Sequence, residues 1–249
     1  MRNRIIPTLL LKGDSLYKGK KFKDHKYVGD LHNALRVFNN FEVDELMIVD
    51  IEASIKKSKI DLNYIRKVVS ECFMPLSIGG GINDVDQAKD LISTGVEKIV
   101  INSALFGDEA IVRSMVDNLG GQSVVASIDV KKNFFGQYVI YSHSGTKKQS
   151  ISLENLLDKI YKIGIGEVVI NSIDNEGSMS GYDLNLISTV KKNIDIPIVA
   201  SGGAGSLSDF KTAVKHGAHG VAAGSYFIYH GPRRAVLISY PERYEIDSL

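Results

Sequence analysis

Two stretches of this 249-residue chain carry residue types that hold anions. Ala200-Ser201-Gly202-Gly203-Ala204-Gly205 follows the apolar run Ile196-Pro197-Ile198-Val199 and opens an amphipathic segment, 206–216. Leu76-Ser77-Ile78-Gly79-Gly80-Gly81-Ile82-Asn83-Asp84 follows Pro75 and opens a similar one. A strand, a glycine turn and a helix start aim backbone N–H groups and the positive end of a helix at one point, which suits a phosphate. A shift of 122 residues lays the first stretch on the second, with Gly80 on Gly202, Gly81 on Gly203, Gly95 on Gly217 and Ser103 on Ser225. Gly80, Gly81, Asn102 and Ser103 would form one phosphate pocket, and Ser201, Gly202, Gly203, Gly224 and Ser225 a second. The plainer reading is that the glycines are packing turns left by a duplication.

Proton chemistry needs other groups. Asp129 ends the apolar run Ser127-Ile128-Asp129 and could act as a general acid or base. Asp50, after Val49, could do the same or could orient loop N–H groups. Lys12, Lys18, Asn171 and Asp174 also lie just beyond apolar runs. At the opposite ends of the runs stand two bases and two acids, Arg4, Glu45, Lys98 and Glu167. By themselves these four read as mutual salt bridges. Beyond His216-x-x-His219, which straddles a helix end and a Gly-Ala turn and reads as structural, the six histidines show no ligand pairing, so no metal is expected, and no cofactor is implied.

The elements that must position these groups alternate. Apolar runs at 4–11, 45–51, 75–79, 98–102, 123–129, 167–171, 197–201 and 220–224 read as strands covered on both faces. Helical periodicity recurs at 30–41, 61–73, 85–93, 108–119, 152–163, 184–192 and 207–216. Strand–helix alternation with a half-chain repeat predicts one domain over 1–249, a (β/α)8 barrel built of two half-barrels. In such a barrel the strand C-termini form the mouth where ligands bind. The basic stretch 13–25 is expected to be a long loop and 134–141 a short hairpin. The end, from His230-Gly231-Pro232-Arg233-Arg234 to Tyr240-Pro241, is too short and β-rich for a final helix, so an irregular last layer is expected.

Composition narrows the class further. Hydrophobic residues are 44%, charged residues 24% and the net charge is +1, which gives no reason to expect nucleic acid or a membrane surface. No apolar run has the length of a transmembrane helix. Met1-Arg2-Asn3-Arg4 leads directly into a strand without a signal peptide, and the single cysteine, Cys72, fits a reducing cytoplasm.

Taken together, these residues resemble the cyclase subunit of imidazole glycerol phosphate synthase, of the histidine-biosynthesis barrel family. The resemblance spans Arg4 to Ser225. It is most specific in Asp50-Ile51-Glu52-Ala53-Ser54, Gly79-Gly80-Gly81-Ile82, Ser172-Ile173-Asp174 with Gly181-Tyr182-Asp183, and Ala200–Gly205. It implies a glutaminase partner on the N-terminal face, ammonia passing through the barrel, and Arg4, Glu45, Lys98 and Glu167 as the gate. It also implies two catalytic aspartates, one matching Asp129. Leu10 stands where the other belongs, and leucine cannot transfer a proton.

Leu10 and the altered tail are similar to a paralogous branch found with surface-polysaccharide genes. That branch carries Ile-Pro-x-Leu-Leu-Leu-Lys and Ala-Val-Leu-Ile-Ser-Tyr, as at 6–12 and 235–240 here. The likeness implies ammonia supply to a sugar amidotransferase that installs an acetamidino group. The alternatives are an authentic cyclase with Lys12 or Asp174 completing the acid–base pair, and a non-catalytic barrel that activates its glutaminase.

Overall fold

The computed structural model describes residues 3–246. It opens with β1 (Arg4–Lys12), a hairpin of β2 (Ser15–Lys20) and β3 (Lys23–Asp30), and α1 (Leu31–Asn40). Then come β4 (Leu46–Asp50), the one-turn α2 (Ala53–Lys56), α3 (Leu62–Glu71), β5 (Leu76–Gly79), α4 (Val85–Ser93), β6 (Lys98–Ile101) and α5 (Glu109–Leu119). The second half runs β7 (Val124–Lys132), β8 (Tyr138–Ser142), β9 (Lys147–Lys148), α6 (Leu153–Ile163), β10 (Glu167–Ser172), α7 (Leu184–Asn193), β11 (Ile198–Ser201), α8 (Leu207–Lys215) and β12 (Gly220–Ala223). Parallel pairing in the order β1, β4, β5, β6, β7, β10, β11, β12 and back to β1 closes an eight-stranded (β/α)8 barrel.

Local chemistry sets the helix starts. Asp30, Asp61, Asp84, Asp108, Ser152, Asp183 and Ser206 each accept a first-turn backbone N–H, at α1 and at α3 to α8. These caps satisfy donors that the helix itself leaves unpaired. Helices α1 and α3 to α8 bury their apolar stripes against the outside of the barrel. Inside the barrel lies a separate apolar layer of Ile6, Met47, Val100, Val125, Val169, Val199 and Ala222.

Two expectations change. Segment 13–25 is not a loop. β1 runs past the barrel rim, and its free edge pairs antiparallel with β2, Leu10 opposite Tyr17 and Lys12 opposite Ser15. Leu16 and Lys18 both point inward and are buried. A lysine at an inward position hides the alternation that would have announced the strand. The hairpin expected at 134–141 exists, but its first strand is the end of β7. Lys132 pairs with Tyr138, and Asn133 Oδ1 accepts the N–H groups of Phe135 and Gln137 across the turn.

The last layer is irregular, as expected. α9 (Ser225–Ile228), the two-residue strands β13 (Tyr229–His230) and β14 (Ala235–Val236), and α10 (Arg243–Ile246) replace a long final helix. Tyr240 anchors this layer by stacking on Phe227 at 5.5 Å and donating its hydroxyl to the Ile5 carbonyl at 3.2 Å. Tyr240→Phe should cost about 1 kcal/mol through that one buried hydrogen bond. A fall in melting temperature of roughly 2–4 °C would register it. Among the described residues no helix is long and apolar enough to cross a membrane.

Candidate functional site

The two barrel ends carry different chemistry. At the N-terminal end the first residues of β1, β6 and β10, with Glu45 just before β4, bring Arg4, Lys98, Glu167 and Glu45 into one network. Arg4 donates to both Glu45 and Glu167. The Lys98 ammonium lies 3.0 Å from Glu45 and 2.9 Å from Glu167. Ser77 Oγ donates to the second Glu45 oxygen at 2.7 Å. Each cation thus touches both carboxylates, and the ring is electrically closed. Above it sits the apolar layer, of which Met47, Val100 and Val169 also form the floor of the mouth cavity.

The mouth cavity holds about 310 Å³. It gathers many residues from the sequence-based set. Gly80, Gly81, Asn102 and Ser103 border it from one side. Leu10, Lys18, Asp50, Asp129, Asn171, Ser201 and Gly224 complete its wall. Gly202, Gly203 and Ser225 do not reach it, and neither do Lys12 and Asp174. Lys12 pairs with Glu52 at 3.1 Å. Asp174 accepts the Lys132 backbone N–H at 2.9 Å.

Asp50 performs the orienting role. Its Oδ1 accepts the backbone N–H groups of Glu52 and Ala53 at 2.8 and 3.0 Å. That holds the turn into α2, against which Gly81 packs. A side chain on Gly81 would lie 2.8 Å from the Ala53 Cβ, so glycine is required there. Asp50→Ala should cost about 1–2 kcal/mol, as for loss of a helix cap, measured by denaturant unfolding.

Asp129 differs in kind. It is 7% exposed, at the mouth end of β7. Asn171, its neighbour across the β7–β10 pairing, donates to Oδ1 at 3.2 Å, and Asn102 donates to Oδ2 at 3.3 Å. Burial pushes its carboxyl up to about 7, with the Asn171 hydrogen bond opposing and the Glu176 charge reinforcing the rise. Such a group can both give and take a proton near neutral pH. Leu10 shares the cavity and supplies no second proton carrier.

Several wall residues carried no sequence motif. Glu176, from the loop after β10, faces Lys18, and their charged atoms are 2.6 Å apart. His143, Ser144 and Lys57 join the wall beside Gly81 and Ser103. Ser142 Oγ and His143 Nδ1 lie 2.8 Å apart, and Ser144 Oγ donates to the Ile51 carbonyl. Burial, then the charges of Lys147 and Lys57, lower the His143 pKa. These residues come from turns of undistinguished composition. Lys18 was in the sequence-based set, but no signal tied it to Glu176.

Comparisons with known proteins agree with this fold. The profile described as histidine biosynthesis protein matches residues 4–232. A Pseudomonas aeruginosa protein named "Putative imidazole glycerol phosphate synthase subunit hisF2" is 43% identical over 252 residues, covering 99% of each chain. A Leptospira interrogans protein of corresponding name, subunit HisF, is 44% identical over 251 residues, covering 100% of this chain and 99% of its own. The imidazole glycerol phosphate synthase subunit HisF of Alkaliphilus metalliredigens is 35% identical, covering 91% of this chain and 90% of its own. The chain therefore belongs to the histidine biosynthesis protein family, as a barrel related to imidazole glycerol phosphate synthase subunits.

Proposed function

We propose that this chain is the barrel subunit of a glutamine-dependent synthase, and that it conducts ammonia rather than closing an imidazole ring. A glutaminase subunit docks on the N-terminal face. Ammonia enters past Arg4, Glu45, Lys98 and Glu167, crosses the barrel and emerges at the mouth. The observation that carries this reading is the pairing of a closed four-residue ion network with an apolar layer directly above it. Neutral ammonia can enter such an interior, whereas ammonium would lose its hydration there at large cost. The network offers the polar entrance and the layer enforces the neutral form.

Leu10 limits what happens next. The ring-forming reaction implied by the family resemblance uses two carboxyl groups at the mouth, and Leu10 leaves Asp129 as the one of that pair. A missing general acid or base is typically worth 10²–10⁴-fold in rate. The ammonia is then consumed by a partner sugar amidotransferase, which builds an acetamidino group on a surface-polysaccharide sugar. The mouth keeps a phosphorylated small molecule, bound at Gly80, Gly81 and Ser103.

Expression in a strain lacking its histidine-pathway cyclase subunit tests the reading. No growth without histidine is expected. Growth would overturn it in favour of an authentic cyclase, whose turnover of the phosphoribosyl substrate with ammonium would then be measurable.

A further inference from the structure

The two halves of the repeat finish their phosphate cradles differently. In the first half the residue before Ser103 is Asn102, whose carboxamide donates to the Ser127 carbonyl at 2.9 Å. The matching residue in the second half is Gly224, and the space its side chain would fill is taken by the Lys18 ammonium. Lys18 is 3% exposed and is paired with Glu176, itself 9% exposed. The Glu176 carbonyl accepts the Lys21 N–H at 2.9 Å, which pins the β2–β3 hairpin over this side of the mouth.

The second glycine turn is covered as well. The Gly203 carbonyl accepts the Gly181 N–H at 2.8 Å, and a side chain on Gly203 would lie 2.9 Å from the Asn175 Cβ. Beneath this cover Ser225 is 5% exposed, and its hydroxyl has no hydrogen-bond partner among the described residues. The glycines of the first cradle are packed as closely, Gly80 on Asp50 and Gly81 on Ala53, but they line the cavity, whereas Gly202, Gly203 and Ser225 do not. Gly80, Gly81 and Ser103 open onto the cavity, with Lys57 and His143 on the same wall.

We propose that the mouth holds a sugar phosphate by one end only, at Gly80, Gly81 and Ser103, and that the Lys18–Glu176 pair excludes a second phosphate from the opposite end. This rests on the mouth being a phosphate site, as set out above. A phosphate entering the second cradle would bring two negative charges against Glu176. It would also have to take Lys18 from it, leaving a buried carboxylate without its cation. A hydroxyl-bearing end meets no such barrier, because Asp129, Asn171 and Glu176 all offer acceptors to sugar hydroxyls. The ligand class is therefore a phosphomonoester of a sugar whose far end is uncharged.

Calorimetric titration of the full chain with ribose 5-phosphate and with fructose 1,6-bisphosphate tests the proposal. The wild type should bind the monophosphate one to one, and the bisphosphate no more than about threefold more tightly, little beyond the statistical advantage of two ends. Ser103→Asp places a carboxylate in the open cradle and should weaken both ligands about tenfold or more. Glu176→Gln frees Lys18 without changing shape and should raise the ratio of bisphosphate to monophosphate affinity about tenfold. Lys18→Met should leave that ratio as in the wild type. A wild type that prefers the bisphosphate by about tenfold, or a Glu176→Gln protein with an unchanged ratio, overturns the one-ended site. Absence of monophosphate binding overturns it too. None of these outcomes bears on ammonia passage, which is read separately from glutamine-coupled turnover.

Discussion

Lys98→Glu is expected to uncouple glutamine hydrolysis from ammonia delivery and to lower the stability of the barrel. The Lys98 ammonium bridges Glu45 and Glu167, and its side chain is 12% exposed. Glutamate there sets three carboxylates around Arg4 alone. Breaking a buried charge pair in this way costs about 3–5 kcal/mol. For a chain of this length that corresponds to a fall of roughly 10 °C in melting temperature. On the proposed conduit, three carboxylates at the entrance would also favour ammonium over ammonia, and the apolar layer above would oppose the charged form. About 1.4 kcal/mol of such trapping is enough to cut transfer tenfold. The check is product formed per glutamine hydrolysed in the reconstituted complex, alongside the same reaction fed with external ammonium. External ammonium reaches the mouth without crossing the entrance, so the variant should match the wild type in that assay. Lys98→Arg keeps the charge and should stay coupled. Full coupling in a folded Lys98→Glu protein would sink the conduit.

The sequence carries the barrel strongly because its signals are redundant. Apolar runs, helical stripes, capping Asp and Ser residues and the 122-residue repeat all point to the same eight strands and the seven helices between them. Groups tied to strand ends were equally legible. Arg4, Glu45, Lys98 and Glu167 share the parity of the inward Ile6, Met47, Val100 and Val169 two residues on, so they meet at the barrel floor. Legibility fails where position depends on long-range packing. The β2–β3 hairpin is held by the overrun edge of β1 and by Glu176, more than 150 residues away in sequence. The repeat itself misleads at one point. It predicts two equal cradles, but equivalence of backbone does not fix what fills the space beside it. At Gly224 a lysine from another element fills that space.

Asp129→Asn should make the protein more stable and less active, and the stability gain should depend on pH in a set direction. Burial raises the Asp129 pKa in the folded chain to about 7, whereas the unfolded chain titrates near 4. Below about pH 4 both states hold the proton, and the group contributes nothing. Between about pH 4 and pH 7 the folded state holds the proton and the unfolded state releases it, so stability falls as pH rises. Above pH 7 the full cost of burying the carboxylate is present. Asparagine keeps the shape and never ionises. The variant should therefore equal the wild type near pH 4 and exceed it by about 2–4 kcal/mol at pH 8. Melting curves of both proteins from pH 4 to pH 8 measure the difference, and a flat difference would show that Asp129 does not titrate in that range. A side chain that weakens the fold at neutral pH has a reason for being there that packing does not supply. Were Asp129 to pass a proton to the mouth ligand, that would be such a reason, and the variant should then lose turnover of that ligand about 10²–10⁴-fold. Passage of ammonia should continue, since Asp129 lies at the far end of β7 from the charged entrance. A variant that is more stable, still conducts ammonia and no longer turns over the mouth ligand would separate ammonia passage from proton chemistry at Asp129.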